Sequence, residues 1–226
     1  MGDMISGAHK PHFLHLAKNG GTSIYRDNPE IEFVGHEKIA DCPHNTETFC
    51  FWRCPKERLI SSFKYAKMPV SYWHDNVNPT RAKCGSHPDY SLCNRRSFKT
   101  IVLLACLQQI PLVYRVLRRA GMALDHPGFW PATTFACSRS RQVDWILNLE
   151  ELPNHLRILN AELGVDIKCS IGRENSSPSP SSRLKIEGLI SYLHFWAFRR
   201  DYLIYEQSQR GVLKCVKGHF VTHTYN

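Results

Sequence analysis

The sequence lacks any Cys-x-x-Cys pair, although it holds nine cysteines. They stand at Cys42, Cys50, Cys54, Cys84, Cys93, Cys106, Cys137, Cys169 and Cys215, at irregular spacings. Zinc ribbons and thioredoxin-like redox pairs are therefore disfavoured. The odd count points to free, mostly buried thiols of a reducing compartment. Cys84 and Cys93 flank a loop-like stretch and are the pair that would close in an oxidising one. Long apolar runs are missing too. The longest, 101-IVLLACL-107, falls far short of the about 20 residues that a bilayer-spanning helix needs. The opening MGDMISGAHKPHF has no hydrophobic signal core, so the chain as it stands is expected to be soluble and cytoplasmic. Acidic residues are the minority, 20 against 29 Lys and Arg, which leaves a net charge of +9. Such a balance favours anionic partners: nucleotides, sulfated or phosphorylated molecules, acidic polysaccharides, nucleic acid or membrane surface.

What is present reads as an ordinary globular protein, with 42% hydrophobic residues in 226. That length suits one domain with a proper core, here residues 1–226. No internal repeat is visible. Residues 12–17 read as a buried strand, followed by a helix starting near Gly21 or Thr22. The run 31-IEFVGH-36 suggests a second strand and 48-TFCFWR-53 a third. After Pro55, Leu59, Ile60 and Phe63 fall at helical spacing. Residues 69–97 read as a surface excursion, and helices are predicted over 98–109 and 112–119. A strand running into a helix is expected over 143–163, a low-complexity loop over 170–183, and one last helix over 184–206. Alternating strands and helices predict an α/β protein, with a parallel sheet covered on both faces.

Two stretches carry chemistry. In 13-FLHLAKNGGTSIYRD-27 a short apolar run meets Lys18, Asn19, Gly20, Gly21, Thr22 and Ser23 before helical sequence begins. Backbone amides at a helix start bind anions, and glycines permit close approach. Lys18 precedes the glycines, whereas the nucleoside-triphosphate loop places its lysine after them. No partner Asp for Mg²⁺ stands out on a later apolar strand. The plain alternative is a tight strand–helix turn with an exposed lysine. In the second stretch, 49-FCFWRCPKERLISSFKYAK-67, Arg53 ends a strand and Ser61 follows eight residues later. A strand-end arginine and a helix-borne serine can converge on one phosphate, the arginine through a bidentate fork.

Together these two stretches resemble the cofactor signature of sulfotransferases that use 3′-phosphoadenosine-5′-phosphosulfate (PAPS). The pattern is most similar to the carbohydrate group that includes the chondroitin and heparan sulfate 2-O enzymes. There the first motif reads like hxHIPKTGGTS and the second like hVRNPxxRLxSxY. The stretches 126-HPGFWPATTFAC-137, 143-VDWILNLEELPNHLRILNAELGV-165, 174-ENSSPSPSSR-183 and 199-RRDYLIYE-206 resemble later parts of such enzymes. The departures are Asn19 for Thr, Cys54 for Asn and Trp52 for an aliphatic residue. The resemblance implies a three-layer α/β sandwich with a central parallel sheet, of the P-loop-NTPase-like sulfotransferase kind. It implies PAPS as cofactor, PAP as product, no metal, and an acceptor hydroxyl of an anionic carbohydrate, with no nucleic-acid or membrane partner. The compartment would be the Golgi lumen if the chain is part of an anchored protein. Lys18, Asn19, Gly20, Gly21, Thr22 and Ser23 would hold the 5′-phosphosulfate. Arg53 and Ser61 would hold the 3′-phosphate.

An acceptor hydroxyl must give up its proton. His36 ends the second predicted strand, between the two cofactor motifs, where related enzymes carry a catalytic histidine. Its ordinary pKa suits a general base near neutral pH. Glu37 is the rival, and adjacent strand residues point to opposite faces, so only one of them enters a site. His15 is expected to pack beside the loop, and His126 to line an acceptor pocket. His9, His12, His219 and His223 are read as solvated residues near the termini. No spacing of His, Cys and Asp reads as a metal site. Arg95, Arg96 and Lys99, and Arg115, Arg118 and Arg119, read as solvated helix faces or as contacts for an anionic glycan. Trp145, Trp196 and Tyr202 are expected in the core rather than as a sugar platform, with Trp130 the exception because Gly128 and Pro131 mark a loop. Two other functions fit parts of the sequence: a nucleotide-kinase-like phosphotransferase, and a non-catalytic glycan- or nucleic-acid-binding protein.

Overall fold

The run Thr48–Trp52, apolar after its first residue, forms strand β2 with every position buried. A strand covered on both faces needs no alternation of polar and apolar residues. In the computed structural model of the chain, residues 10–31, 36–68, 87–169 and 184–223 are described. On one side of β2 lies β1 (His12–Phe13), parallel, with His12 opposite Thr48 and Phe13 opposite Phe49. On the other lies β3 (Trp145–Asn148), also parallel, registered from Phe49 opposite Trp145 to Trp52 opposite Asn148. Strands β4 (Val212–Val216) and β5 (His219–His223) then add antiparallel, giving the order β1-β2-β3-β4-β5. The protein is therefore α/β with a five-stranded mixed sheet, which corrects the expectation of a wholly parallel one. The closing hairpin turns on Lys217 and Gly218, at φ 49° and 80°. Two left-handed residues in a two-residue loop match the twist of the flanking strands.

Internal contacts divide the chain into two compact units. The first comprises Met1–Trp52, Thr134–Ile171 and Tyr205–Asn226 and carries the whole sheet. Helices α1 (Gly21–Asp27) and the later Leu152–Leu163 belong to it. Ile24, Leu152, Leu156 and Leu159 from these helices pack with Phe13, Phe49, Phe51, Trp145 and Leu147. Each large apolar side chain so buried contributes about 1.5–3 kcal/mol. Pro153 lies in the first turn of Leu152–Leu163, and Gly164 ends that helix in the left-handed conformation at φ 64°.

The second unit comprises Arg53–Thr133 and Gly172–Ile204. It holds α2 (Pro55–Ala66), α3 (Tyr90–Arg95), α4 (Phe98–Leu107) and α5 (Pro111–Arg119). A short helix, α6 (Thr133–Ala136), crosses the boundary in sequence, and α7 is the Leu152–Leu163 helix of the first unit. Helix α8 (Gly188–Ala197) and the first part of α9 (Arg199–Ser208) complete the second. Leu59, Phe63, Phe98, Ile101, Val102, Phe129 and Phe198 form its core. Ser97 caps α4 by accepting from the Thr100 amide at 3.2 Å.

Three expectations change. Residues 90–95, placed in a surface excursion, form α3 with Cys93 buried. The single last helix is two, because the backbone leaves helical geometry at Phe198 (φ −112°, ψ 22°), whose ring is buried and stacked on His194. The β4–β5 hairpin was not foreseen. Most of the expected 31–36 strand, the 170–183 loop and Cys84 lie outside the described residues.

Candidate functional site

The loop after β1 is built by two left-handed residues. Ladder pairing covers only His12–Phe13 of the expected 12–17 strand, yet Phe13 through Ala17 are buried and the Leu14 amide still donates to Phe49 O at 2.8 Å. The chain then bends, with the Asn19 amide donating to Leu16 O at 3.3 Å. Lys18 has φ 64° and Gly20, which precedes α1, has φ 84°. For a lysine this conformation costs about 1–2 kcal/mol, and strain of this kind collects at binding loops. Asn19, foreseen as a cofactor contact, is only 1% exposed and donates from Nδ2 to Phe51 O at 2.8 Å. It ties the loop to β2. Its Oδ1 is buried without a hydrogen-bond partner among the described residues.

The glycines prove necessary for packing against protein atoms. A Cβ on Gly20 would lie 2.8 Å from Leu149 Cδ1, and one on Gly21 would lie 2.1 Å from His15 Nε2. Thr22 follows Gly21 within α1, and the Ser23 amide donates to Gly20 O at 3.2 Å. His15 is buried, as expected, among Phe13, Tyr25 and His36. Burial, then the nearby charges of His36 and Lys18, hold the His15 imidazole well below its usual pKa.

His36 is exposed, and its ring centroid lies 4.5 Å from that of His15. Its Nδ1 donates to His15 O at 3.2 Å. The first unit thus brings His36 beside the strand that leads into the Lys18 loop. Glu37, the rival base, is held by the His12 imidazole instead. His12, read from sequence as solvated, is a half-buried strand residue.

In the second unit, Arg53 follows β2 directly and is half-buried, with Nη2 4.0 Å from Glu57 Oε2. Ser61 is a half-buried residue of α2. The arginine at the centre of this unit is another one. Arg58 is buried and donates to Trp130 O at 2.7 Å and Pro127 O at 3.0 Å, with Asp201 Oδ2 at 3.9 Å. Asp201 accepts from the Ala132 amide at 2.6 Å, the Thr133 amide at 3.0 Å and Thr133 Oγ1 at 2.8 Å. Burial pushes the Arg58 pKa down to about 10 and the Asp201 pKa up, and the charge of each opposes the shift of the other. Three stretches quoted above for the resemblance therefore meet through this pair. The signal was present: Pro55, Arg58, Leu59, Ser62, Phe63 and Ala66 share the buried face of α2.

Other foreseen residues take structural places. His126 accepts from the Gly128 amide at 3.0 Å and lies 4.5 Å, ring to ring, from His87. Trp130 donates to Leu124 O at 3.0 Å and meets the Tyr114 ring edge-on. Trp145 and Tyr202 are in the core, but Trp196 is 60% exposed, which corrects its expected burial. His219 and His223 belong to β5, where His223 pairs with Glu162 at 3.0 Å. His9 lies outside the described residues. Arg95, Arg96, Lys99, Arg115, Arg118 and Arg119 are exposed, as a solvated face requires. No helix among the described residues is long and apolar enough to cross a membrane. The chain matches no family model, no curated protein and no solved structure.

Proposed function

We propose that this protein is a PAPS-dependent sulfotransferase that moves a sulfuryl group onto an acceptor hydroxyl, in keeping with the resemblance of its two phosphate motifs. The observation that carries the proposal is the turn after β1, with left-handed Lys18 and Gly20 separated by the anchored Asn19. The chemistry of the donor set fits a nucleotide with two separate anionic groups. Lys18 and the hydroxyl residues Thr22 and Ser23 serve the 5′ end, and Arg53 and Ser61 serve the 3′-phosphate. The cofactor supplies an activated sulfuryl group. Lys18 neutralises charge on the departing phosphate oxygen, as a preorganised cation does in other anion sites. His36 takes the acceptor proton as the new sulfur–oxygen bond forms. The net charge of +9 and the exposed arginines of α3 and α5 suit an anionic carbohydrate acceptor.

The test is a binding comparison. PAP should bind ten- to a hundredfold more tightly than AMP, the worth of about 1.5–3 kcal/mol for charged hydrogen bonds to the 3′-phosphate. Equal affinity would refute the assignment of Arg53 and Ser61. Activity that vanishes with EDTA and returns with Mg²⁺ would favour the kinase-like phosphotransferase. Glycan or nucleic-acid binding indifferent to Lys18, Arg53 and Ser61 would favour the non-catalytic binder.

A further inference from the structure

Sequence spacing gives no metal motif, yet the fold gathers His12, Glu37 and Cys42 so that their ligand atoms all lie within 4.8 Å of one another. The three donors are chemically distinct: an imidazole nitrogen, a carboxylate oxygen and a sulfur. His12 and Glu37 have side chains 18% and 15% exposed, and Cys42 is buried. His12 Nε2 already meets Glu37 Oε1.

The backbone around the ligands is held. The His12 amide donates to Glu47 O at 2.7 Å, beside the pairing of His12 with Thr48 in the sheet. Cys42 follows the short helical turn Ile39–Asp41, and its carbonyl accepts from Arg141 Nη1 at 3.0 Å. Arg141 Nη1 also donates to Pro43 O at 2.8 Å. His12 therefore comes from a fixed strand and Cys42 from a braced turn, and all three ligands lie within the first unit.

We propose that His12, Glu37 and Cys42 form a binding site for a zinc-class divalent ion. Sulfur and imidazole donors select zinc or cobalt over magnesium or calcium, which take oxygen ligands. Tetrahedral zinc bonds of about 2.0–2.3 Å put neighbouring ligand atoms about 3.3–3.8 Å apart, so the ion would replace the His12–Glu37 hydrogen bond, those two side chains parting slightly to admit it. Three protein ligands leave a fourth position for water. On binding, the Cys42 thiol gives its proton to solvent and the thiolate bonds the metal, with no change of oxidation state. The ion would fasten the 36–42 segment to β1. The proposal is independent of sulfuryl transfer and of the Lys18 loop.

The experiment uses the full chain, stripped with a chelator and titrated with Zn²⁺ against a chromophoric competitor, then with Co²⁺ in an absorption cell. One equivalent should bind, and cobalt should show thiolate-to-metal charge-transfer absorption. Cys42→Ser should abolish that absorption. His12→Ala and Glu37→Gln should each weaken zinc binding by about tenfold or more, at least the loss seen when a metal site's supporting residues are changed. Cys215→Ser and His44→Ala should leave binding unchanged. Cobalt bound without thiolate absorption by the unaltered chain would overturn the site, a result that needs no variant to fold. So would zinc affinity equal in Glu37→Gln and the unaltered chain, or absorption lost in Cys215→Ser and kept in Cys42→Ser.

Discussion

Gly21→Ala places a methyl group where a buried ring already sits. The added Cβ would lie 2.1 Å from His15 Nε2 and 2.2 Å from His15 Cδ2. A flexible side-chain tip could move aside, but this ring is enclosed. The Phe13, Tyr25 and His36 ring centroids lie 6.0, 5.4 and 4.5 Å from it. Overpacking a well-packed site costs about 1–3 kcal/mol, and this contact belongs near 3. Gly121→Ala is the control. It has φ 65° and no atom within 4 Å of the new methyl, so only the backbone cost of about 1–2 kcal/mol for a side-chain-bearing residue in the left-handed region applies. Urea denaturation followed by tryptophan fluorescence would measure both. In a His15→Ala background the ring is gone, and adding Ala at position 21 should then cost less than about 1 kcal/mol. The cycle should give a coupling of about 2 kcal/mol. A coupling near zero, or a Gly21→Ala protein as stable as Gly121→Ala, would refute the packing argument.

Buried His194, whose pKa is pushed down to about 3 chiefly by burial, stays neutral in the fold while the unfolded chain protonates it below about pH 6.5. Stability from this residue is thus full above that pH and is lost as pH falls toward 3, at up to about 1.4 kcal/mol per unit. His194→Gln should flatten the slope of denaturation free energy between pH 6 and 4 by about one proton, and an unchanged slope contradicts the assignment. Arg58→Met should destabilise by about 3–5 kcal/mol, because Asp201 is left buried without its cation. Adding Asp201→Asn, which removes the charge yet keeps an oxygen to accept from the Ala132 and Thr133 donors, should recover part of that loss, and a single variant costing under about 1 kcal/mol contradicts the pairing. His36→Ala should keep PAP affinity while lowering turnover by about 10²–10⁴ once an acceptor is known. Retained turnover would return attention to Glu37 and His126.

Elements with local signals were legible in the sequence. The aromatic run of β2, Pro55 opening α2, and the strand–helix pair of β3 and α7 all follow from patterns of a few residues. The hairpin was harder, because Lys217 adopts a left-handed conformation that a two-residue turn imposes and lysine does not advertise. The break at Phe198 depends on seating a ring against His194, a tertiary effect that periodicity does not carry. At the candidate site, the order Lys-Asn-Gly-Gly marked the turn. It did not reveal that Asn19 would be tied to Phe51, or that Gly21 would make room for His15. Arg58 was overlooked because charged residues are seldom buried, although its spacing with Leu59 and Ser62 placed it on the inner face. Glu37 and Cys42 are close in sequence, but His12 stands 25 residues before Glu37, too far for a ligand spacing to connect it to them.

The central claim is that the Lys18 loop and the Arg53–Ser61 stretch serve one cofactor. Calorimetric titration of the unaltered chain, Lys18→Ala and Arg53→Ala with PAP and with AMP tests it most directly. The account predicts tight PAP binding that Lys18→Ala weakens for both ligands. Arg53→Ala should weaken PAP by about tenfold or more while leaving AMP nearly unchanged, because only PAP carries the 3′-phosphate. PAP and AMP binding with equal affinity, or PAP affinity untouched by both substitutions, would contradict it.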